Sequence, residues 1–265
     1  MRDPSREVVV TGAGICCHMG DKLEAIEADL RQGRTTPFTL WQPAVEHGAR
    51  CQILGLYPED LTPATLGVDK QLARFMGRAA LMGLKAAQEA LSRARLETRD
   101  MAVVIGSGTG DVATHCEIQS KLERTGNAKK IAPTVIPKLM ASTVSANLAN
   151  ALGATGPSFS ATAACSGGSY NILLAAELIE HRHVDCALVG GVEVADLHFF
   201  SGFDSMRAYN GQDNDRPERA SRPYAADRAG FIFSEGAGLL VLETREAAAA
   251  RGVPILGAIR GYGMS

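Results

Sequence analysis

Five short apolar runs constrain this chain more than any other feature: VVVTG (8 to 12), AVVIG (102 to 106), FSATA (159 to 163), CALVGG (186 to 191) and LLVLE (239 to 243). Each is short, often β-branched, and ends near glycine or a polar residue, as buried strands do. Between them lie longer segments with helical character, at 21 to 32, 74 to 93, 137 to 151 and 168 to 182. Such alternation implies an α/β domain with a largely parallel sheet, because parallel neighbours need a crossover long enough to hold a helix.

GFIFSEGAGLLVLE breaks the rhythm. Its two apolar runs are separated by a few residues containing two glycines, too few for a crossover, so an antiparallel hairpin is expected there. A helix at 244 to 251 and an apolar run at 254 to 263 follow. Polar stretches at 44 to 70, 120 to 133 and 205 to 229 show no shift in composition and read as loops leaving one core.

The chain has 265 residues, 46% hydrophobic and 21% charged, with a formal net charge of −2. That balance is globular and supplies no basic field for nucleic acid or anionic lipid. No apolar run approaches the roughly 18 residues that span a bilayer. The charged N-terminus MRDPSREVVVTGAG fits neither a secretory nor a transit peptide. Six cysteines, Cys16, Cys17, Cys51, Cys116, Cys165 and Cys186, show no CxxC spacing, which argues against a disulfide framework or a zinc site. A reducing cytoplasm, with no metal and no resident cofactor, is the expected setting.

Two glycine motifs invite stronger readings. TGAGICCHMG follows a strand, but Cys17 stands at the third glycine position of a dinucleotide fingerprint and no acidic residue ends a second strand where the ribose contact belongs. A glycine-rich strand-to-helix turn is expected instead. GSGTGD (106 to 111) lacks the Lys-Ser/Thr pair of a phosphate loop, although such a turn lets a ligand approach the backbone with Thr109 at its mouth.

Cys165, in ATAACSGGSY, differs from the other cysteines. It follows FSATA and directly precedes SGGSYNILLAAELIEHR, whose apolar run marks a buried helix. A cysteine in the first turn of that helix faces free N–H groups and the positive end of the dipole, and SGG keeps side chains away from an incoming acyl group. Cysteine is also a common buried filler, and the residues alone admit both readings. Of the six histidines, His181 and His183 lie about 24 Å from Cys165, at the far end of its helix, where they suit its negative pole. Nothing in the sequence places His18, His47, His115 or His198 beside the thiol.

Taken in order, VVVTGAGI, VIPKLMASTVSANLANALGATGPS, ATAACSGGSYNILLAAELI, HVDCALVGGVEV and FDSMRAYNGQDNDRPERASRPYAADRAGFIFSEGAGLLVLE resemble the β-ketoacyl-[acyl carrier protein] synthases, and within them the elongating synthases of dissociated bacterial systems. The resemblance covers essentially the whole chain. It implies the N-terminal half of a thiolase-like αβαβα fold, in a homodimer or a heterodimer with another ketosynthase chain. It further implies that Cys165 accepts an acyl chain as a thioester from the phosphopantetheine of acyl carrier protein. Decarboxylative condensation with malonyl-acyl carrier protein then lengthens the chain by two carbons, in fatty acid or polyketide biosynthesis.

By position in these motifs, Phe203 lines the acyl pocket near the cysteine, Thr109 stands at the acyl gate, and Val135 and Leu139 line the tunnel near the dimer interface. Core packing is an equal reading for each. Chain-length partners in the family lack the active cysteine, and this chain keeps it. The family's two catalytic histidines, its supporting lysine and its phenylalanine-containing glycine loop belong to a C-terminal half that does not appear before Ser265. A scaffold or chain-length subunit, or an acyltransferase on the same fold, are the alternatives. The half alone is expected to expose a large apolar face and not to persist as a free monomer. Lys70, Arg74, Lys129 and Lys130 are candidates for docking the acidic carrier.

Overall fold

The computed structural model describes residues 6–35, 37–97 and 99–264. The opening MRDPS, on which the reading of the N-terminus partly rests, lies outside them. In chain order the elements are β1 (Val8–Cys17), α1 (Leu23–Arg31), β2 (Thr39–Leu40), α2 (Gln42–Glu46), β3 (Ile53–Leu54), α3 (Lys70–Ala73), α4 (Arg78–Ala94), β4 (Ala102–Gly106), α5 (Val112–Thr125), α6 (Val135–Leu139), α7 (Thr143–Leu152), β5 (Ser158–Phe159), α8 (Gly167–Glu180), β6 (Cys186–Glu193), α9 (Leu197–Ser205), β7 (Gly236–Thr244), α10 (Arg245–Arg251) and β8 (Gly257–Ala258). They form two compact units: residues 1–15, 61–192 and 237–265, and residues 16–60 and 193–236.

The first unit is built on a six-stranded sheet in the order β5-β4-β6-β7-β1-β8. It is parallel through β5, β4 and β6, with Val103 opposite both Ser158 and Leu188, and antiparallel at the β1–β8 edge. All five residues of β4 are buried, so both faces of the sheet are covered. Because side chains alternate, Ala102 and Val104 share a face with Ala187 and Val189, and there they pack with Ala175, Ala176 and Ile179 of α8. The opposite face is covered by α4 and α7, which contact one another, Gly83 lying against Val144, Leu148 and Val192.

Helix α4 buries a stripe of alanines, including Ala79, Ala86, Ala87, Ala90 and Ala94. The stripe explains TGAG. Instead of a strand-to-helix turn, these residues continue β1, and a Cβ on Gly12 or Gly14 would sit 2.1 Å from the Ala90 carbonyl oxygen or 2.0 Å from that of Ala86. The glycines exist to let helix backbone approach strand backbone. Cys16 and Cys17 likewise end the strand and do not lie in a turn.

The second unit has its own core, of Ala44, Cys51, Ile53, Leu54, Phe200, Tyr209, Ala220 and Ile232. The 44 to 70 stretch and the 205 to 229 loop were expected to leave one core, yet much of both belongs to this second one. The loop is tied down by Asp213, whose carboxylate accepts from Asn210 Nδ2 at 2.8 Å and Arg222 Nη1 at 2.6 Å and pairs with Arg216 at 2.8 Å. These contacts hold the Asp213 carboxyl down to about 2, the Asn210 and Arg222 hydrogen bonds being the main causes.

The expected hairpin at 231 to 243 does not form. Phe231 bridges to Tyr209 and Ser234 to Gly55 in the second unit, while β7 enters the sheet of the first. Backbone from outside the segment therefore satisfies FIF: Gly55 donates to the Phe233 carbonyl at 2.9 Å, and Glu235 donates back to Gly55. Antiparallel pairs occur instead at β2–β3 and β1–β8. The 120 to 133 loop also begins as helix, since Asp111 caps α5 by accepting from Thr114 N–H, and α5 runs to the left-handed Gly126. The helical segment expected at 137 to 151 is divided into α6 and α7, with extended Met140 at the end of α6.

Candidate active site

Of FSATA, only Phe159 lies in strand, at the end of β5; the rest is an irregular arm that climbs to the cysteine. Ser160 Oγ donates to the Ile105 carbonyl and lies 2.9 Å from Ser145 Oγ, which fastens the arm to the end of β4 and to α7. Ala164 then adopts φ +45°, a left-handed conformation that costs a non-glycine residue roughly 1–3 kcal/mol. Turn hydrogen bonds follow, from Ser166 N–H to the Ala163 carbonyl at 3.0 Å and from Gly167 N–H to that of Ala164 at 3.1 Å. Cys165 stands exposed on this elbow.

The cysteine is not in the first helical turn as expected. It sits one residue ahead of the N-cap Ser166, because the tight turn at Ala164 consumes the residues that would extend the helix backwards. Ser166 makes no side-chain cap, its hydroxyl donating instead to Ala163. The N–H groups of Gly168 and Ser169 are left as first-turn donors without intrahelical acceptors. Gly168 packs on β6, where an added Cβ would lie 3.5 Å from Gly191 N. The other pole of α8 is closed by Arg6, whose Nε donates to the Ile179 carbonyl at 3.0 Å, and by His181, whose Nδ1–H donates to Glu177 at 2.9 Å. The expectation that His181 serves the negative end of the helix is met.

Among the described residues, no histidine hydrogen-bonds Cys165. His47 bonds to Pro43, His18 stacks on Phe38 and lies 3.0 Å from Ser234 Oγ, and His198 pairs with Asp196. Burial pushes the thiols of Cys17 and Cys51 up and that of Cys186 to about 11, aided there by the Glu243 charge, so these three favour the uncharged filler state.

The end of β4 links the elbow to three further expected residues. A Cβ on Gly106 would lie 2.6 Å from the Ala161 carbonyl, and the next residues form the GSGTGD loop. There Ser107 Oγ accepts from Gly110 N–H at 3.1 Å, and Gly110, at φ +65°, faces the Leu139 and Met140 carbonyls. The half-buried Thr109 thus sits on a loop packed against the end of α6, the helix that carries half-buried Val135 and Leu139. Phe203 falls in the second unit, half-buried among Phe199, Tyr209 and Phe231 at ring separations of 5.0, 5.7 and 5.9 Å. Lys70, Arg74, Lys129 and Lys130 are exposed.

Sequence reasoning missed Asn171. Fully buried on α8, it accepts from Ala161 N–H at 2.9 Å and donates to the Gly190 carbonyl at 3.1 Å. The signal was a lone amide in the apolar run YNILLAAELI, because a polar side chain in a buried helix needs partners off that helix.

Known proteins resemble this chain along most of its length. The model of the β-ketoacyl synthase N-terminal domain matches residues 5–248. The chain belongs to the β-ketoacyl synthase family. It is 33% identical over 97% of its length to 3-oxoacyl-[acyl-carrier-protein] synthase 1 of Haemophilus influenzae, and 33% identical over 98% to synthase 2 of Synechocystis. It spans 64% and 63% of those two proteins. A crystal structure of a β-ketoacyl synthase from Burkholderia phymatum superposes with a TM-score of 0.83 at 27% identity, covering 96% of this chain and 62% of that one. The ishigamide ketosynthase/chain length factor gives 0.83 at 28%, covering 98% and 63%. As a β-ketoacyl synthase family member the chain has the thiolase-like fold of these structures, as the resemblance implied.

Proposed function

We propose that this chain is the acyl-accepting part of a 3-oxoacyl-[acyl carrier protein] synthase, with Cys165 as the nucleophile. The observation that carries the reading is the placement of Cys165: exposed, on a strained turn, ahead of a buried helix whose first-turn donors are uncapped. The first step is transthioesterification. The Cys165 sulfur attacks the carbonyl carbon of an acyl thioester carried on the phosphopantetheine of acyl carrier protein. The new S–C bond forms as the carrier's C–S bond breaks, and the cysteine proton ends on the departing thiol. The helix start favours negative charge, on the thiolate and on the tetrahedral oxygen alike.

Condensation with malonyl-acyl carrier protein, with loss of carbon dioxide, then draws on the histidine-bearing half that the resemblance implies, contributed by further sequence or by a partner chain. Thr109, Val135, Leu139 and Phe203 shape the acyl path, and no resident cofactor is required. Carrier protein docks through exposed Lys70, Arg74, Lys129 and Lys130. The chain works in the cytoplasm as a homodimer or beside a second ketosynthase chain. A chain-length or scaffold role is the second reading, favoured by the likeness to the ishigamide ketosynthase/chain length factor.

Intact mass after incubation with acyl-acyl carrier protein separates the two. An adduct of one acyl group on the native chain, abolished in Cys165→Ala, supports the synthase. No adduct when the histidine-bearing half is supplied would overturn it in favour of the scaffold.

A further inference from the structure

We propose that Asn171 is a positioning residue for Cys165, a clamp that holds the elbow in its strained form. The inference deepens the synthase reading and rests on it for the identity of the acyl donor, but not for the behaviour of the thiol.

Three backbone groups converge on the buried carboxamide. Its Oδ1 accepts from Ala161 N–H at 2.9 Å, and its Nδ2 donates to the Ala161 carbonyl at 3.4 Å and to the Gly190 carbonyl at 3.1 Å. Ala161 belongs to the arm four residues ahead of Cys165, and Gly190 lies in β6 directly opposite Ile105 of β4. One side chain of α8 therefore ties together the arm, the helix that begins after the elbow, and the end of the sheet. The fit is close: a Cβ on Gly106 would lie 2.7 Å from Nδ2. Gly190 has φ +144°, a backbone state that a side chain rarely adopts, and a Cβ there would meet the Gly238 carbonyl oxygen at 2.1 Å.

The elbow needs such a clamp. Ala164 at φ +45° is stable only if its surroundings over-determine it. Downstream, α8 holds the turn. Upstream there is no strand beyond Phe159, and the arm is fixed by Ser160 and by Asn171. Without the amide, the buried Gly190 carbonyl and the part-buried Ala161 carbonyl lose a donor and one N–H loses its acceptor, and Ala164 relaxes toward negative φ. Cys165 then moves relative to the first-turn donors of α8, and a displacement near 1 Å costs up to roughly a hundredfold in rate.

The test uses the full chain with iodoacetamide, a small reagent that reads the thiol without any carrier, followed by acyl transfer from acyl-acyl carrier protein. Asn171→Ala is expected to slow Cys165 alkylation about tenfold or more, and to lower the maximal acyl-transfer rate alike while the half-saturating carrier concentration stays within about twofold. Leu242→Ala hollows the core without removing an elbow hydrogen bond, and is expected to cost stability but leave the Cys165 rates within about twofold. Equal slowing in both variants, or none in Asn171→Ala, overturns the proposal.

Should Asn171→Ala not fold, Asn171→Asp keeps the side-chain volume and the acceptor while withdrawing the donor, and is read the same way. In the unaltered chain, hydrogen exchange at the Ala161 amide is expected to be slow, and rapid exchange overturns the proposal without any variant. If the native chain takes no acyl group even with the histidine-bearing half supplied, but its alkylation depends on Asn171, the synthase reading fails and the positioning role stands.

Discussion

The Cys165 elbow and the 205 to 229 loop are both irregular, both long in small or polar residues, and both ordered, yet they are held by different forces. Neutral groups hold the elbow: the Asn171 amide, the Ser160 hydroxyl and backbone packed closely at Gly106. The loop is held by charge, with Asp213 gathering Asn210, Arg216 and Arg222 while Arg222 Nη2 donates to the Asp227 carbonyl at 2.8 Å. Neutral hydrogen bonds are short-ranged and exact about geometry, as suits a nucleophile. A cluster of ions tolerates larger movement but answers to pH.

The contrast is accessible because each region has its own reporter. Trp41, the chain's one tryptophan, lies in the second unit edge-on to Phe200 at 5.3 Å, and Cys165 lies in the first. The largest effect is expected from Gly106→Ala. The new methyl meets the Ala161 carbonyl at 2.6 Å, so the variant should lose about 1–3 kcal/mol and slow Cys165 alkylation, while Trp41 emission holds its native value. A change in Trp41 emission with unaltered alkylation would dissolve the distinction.

Asp213→Asn comes next. Since the native carboxyl ionises near 2 and an unfolded one near 3.8, the native state binds fewer protons between those values. The contribution is complete above about pH 4 and is lost as pH falls through about 2. Urea midpoints followed by Trp41 should therefore fall with acid in the native chain, whereas Asp213→Asn should be weaker at neutral pH and flatter from pH 4 to 2. An unchanged acid slope would show that other carboxylates dominate.

The smallest effect belongs to His18. Burial holds its imidazole below 6.5, so unfolding takes up a proton as pH drops below that value, and the stabilisation present above it is lost on acidification. In His18→Gln, the Trp41 midpoint should vary less between pH 7 and 5 than in the native chain.

Much of the molecule was legible before its structure. AVVIG, CALVGG and LLVLE became β4, β6 and β7, and LLAAELI became the buried helix α8, because apolar runs of these lengths have few other ways to leave water. Cys165 was legible as a residue set apart by its place before that helix. The failures share one cause. In TGAG, glycine signals a turn when neighbours are near in sequence, yet here it answers to α4, more than 70 residues away. GFIFSEGAGLLVLE looks like a hairpin locally, but its two runs are claimed by different units, which hydrogen-bond them from distant segments.

Sequence by itself determined the strands β4, β6 and β7 of the sheet, the apolar character of α8, and a cysteine set just ahead of that helix. Those properties follow from side-chain chemistry and local periodicity. Tertiary structure alone decided that Cys165 precedes the helix on a strained turn, that Asn171 closes on Ala161 and Gly190, and that Gly12 and Gly14 make room for α4. Each depends on backbone groups far apart in the chain meeting within hydrogen-bond or contact distance, and no local pattern encodes that meeting.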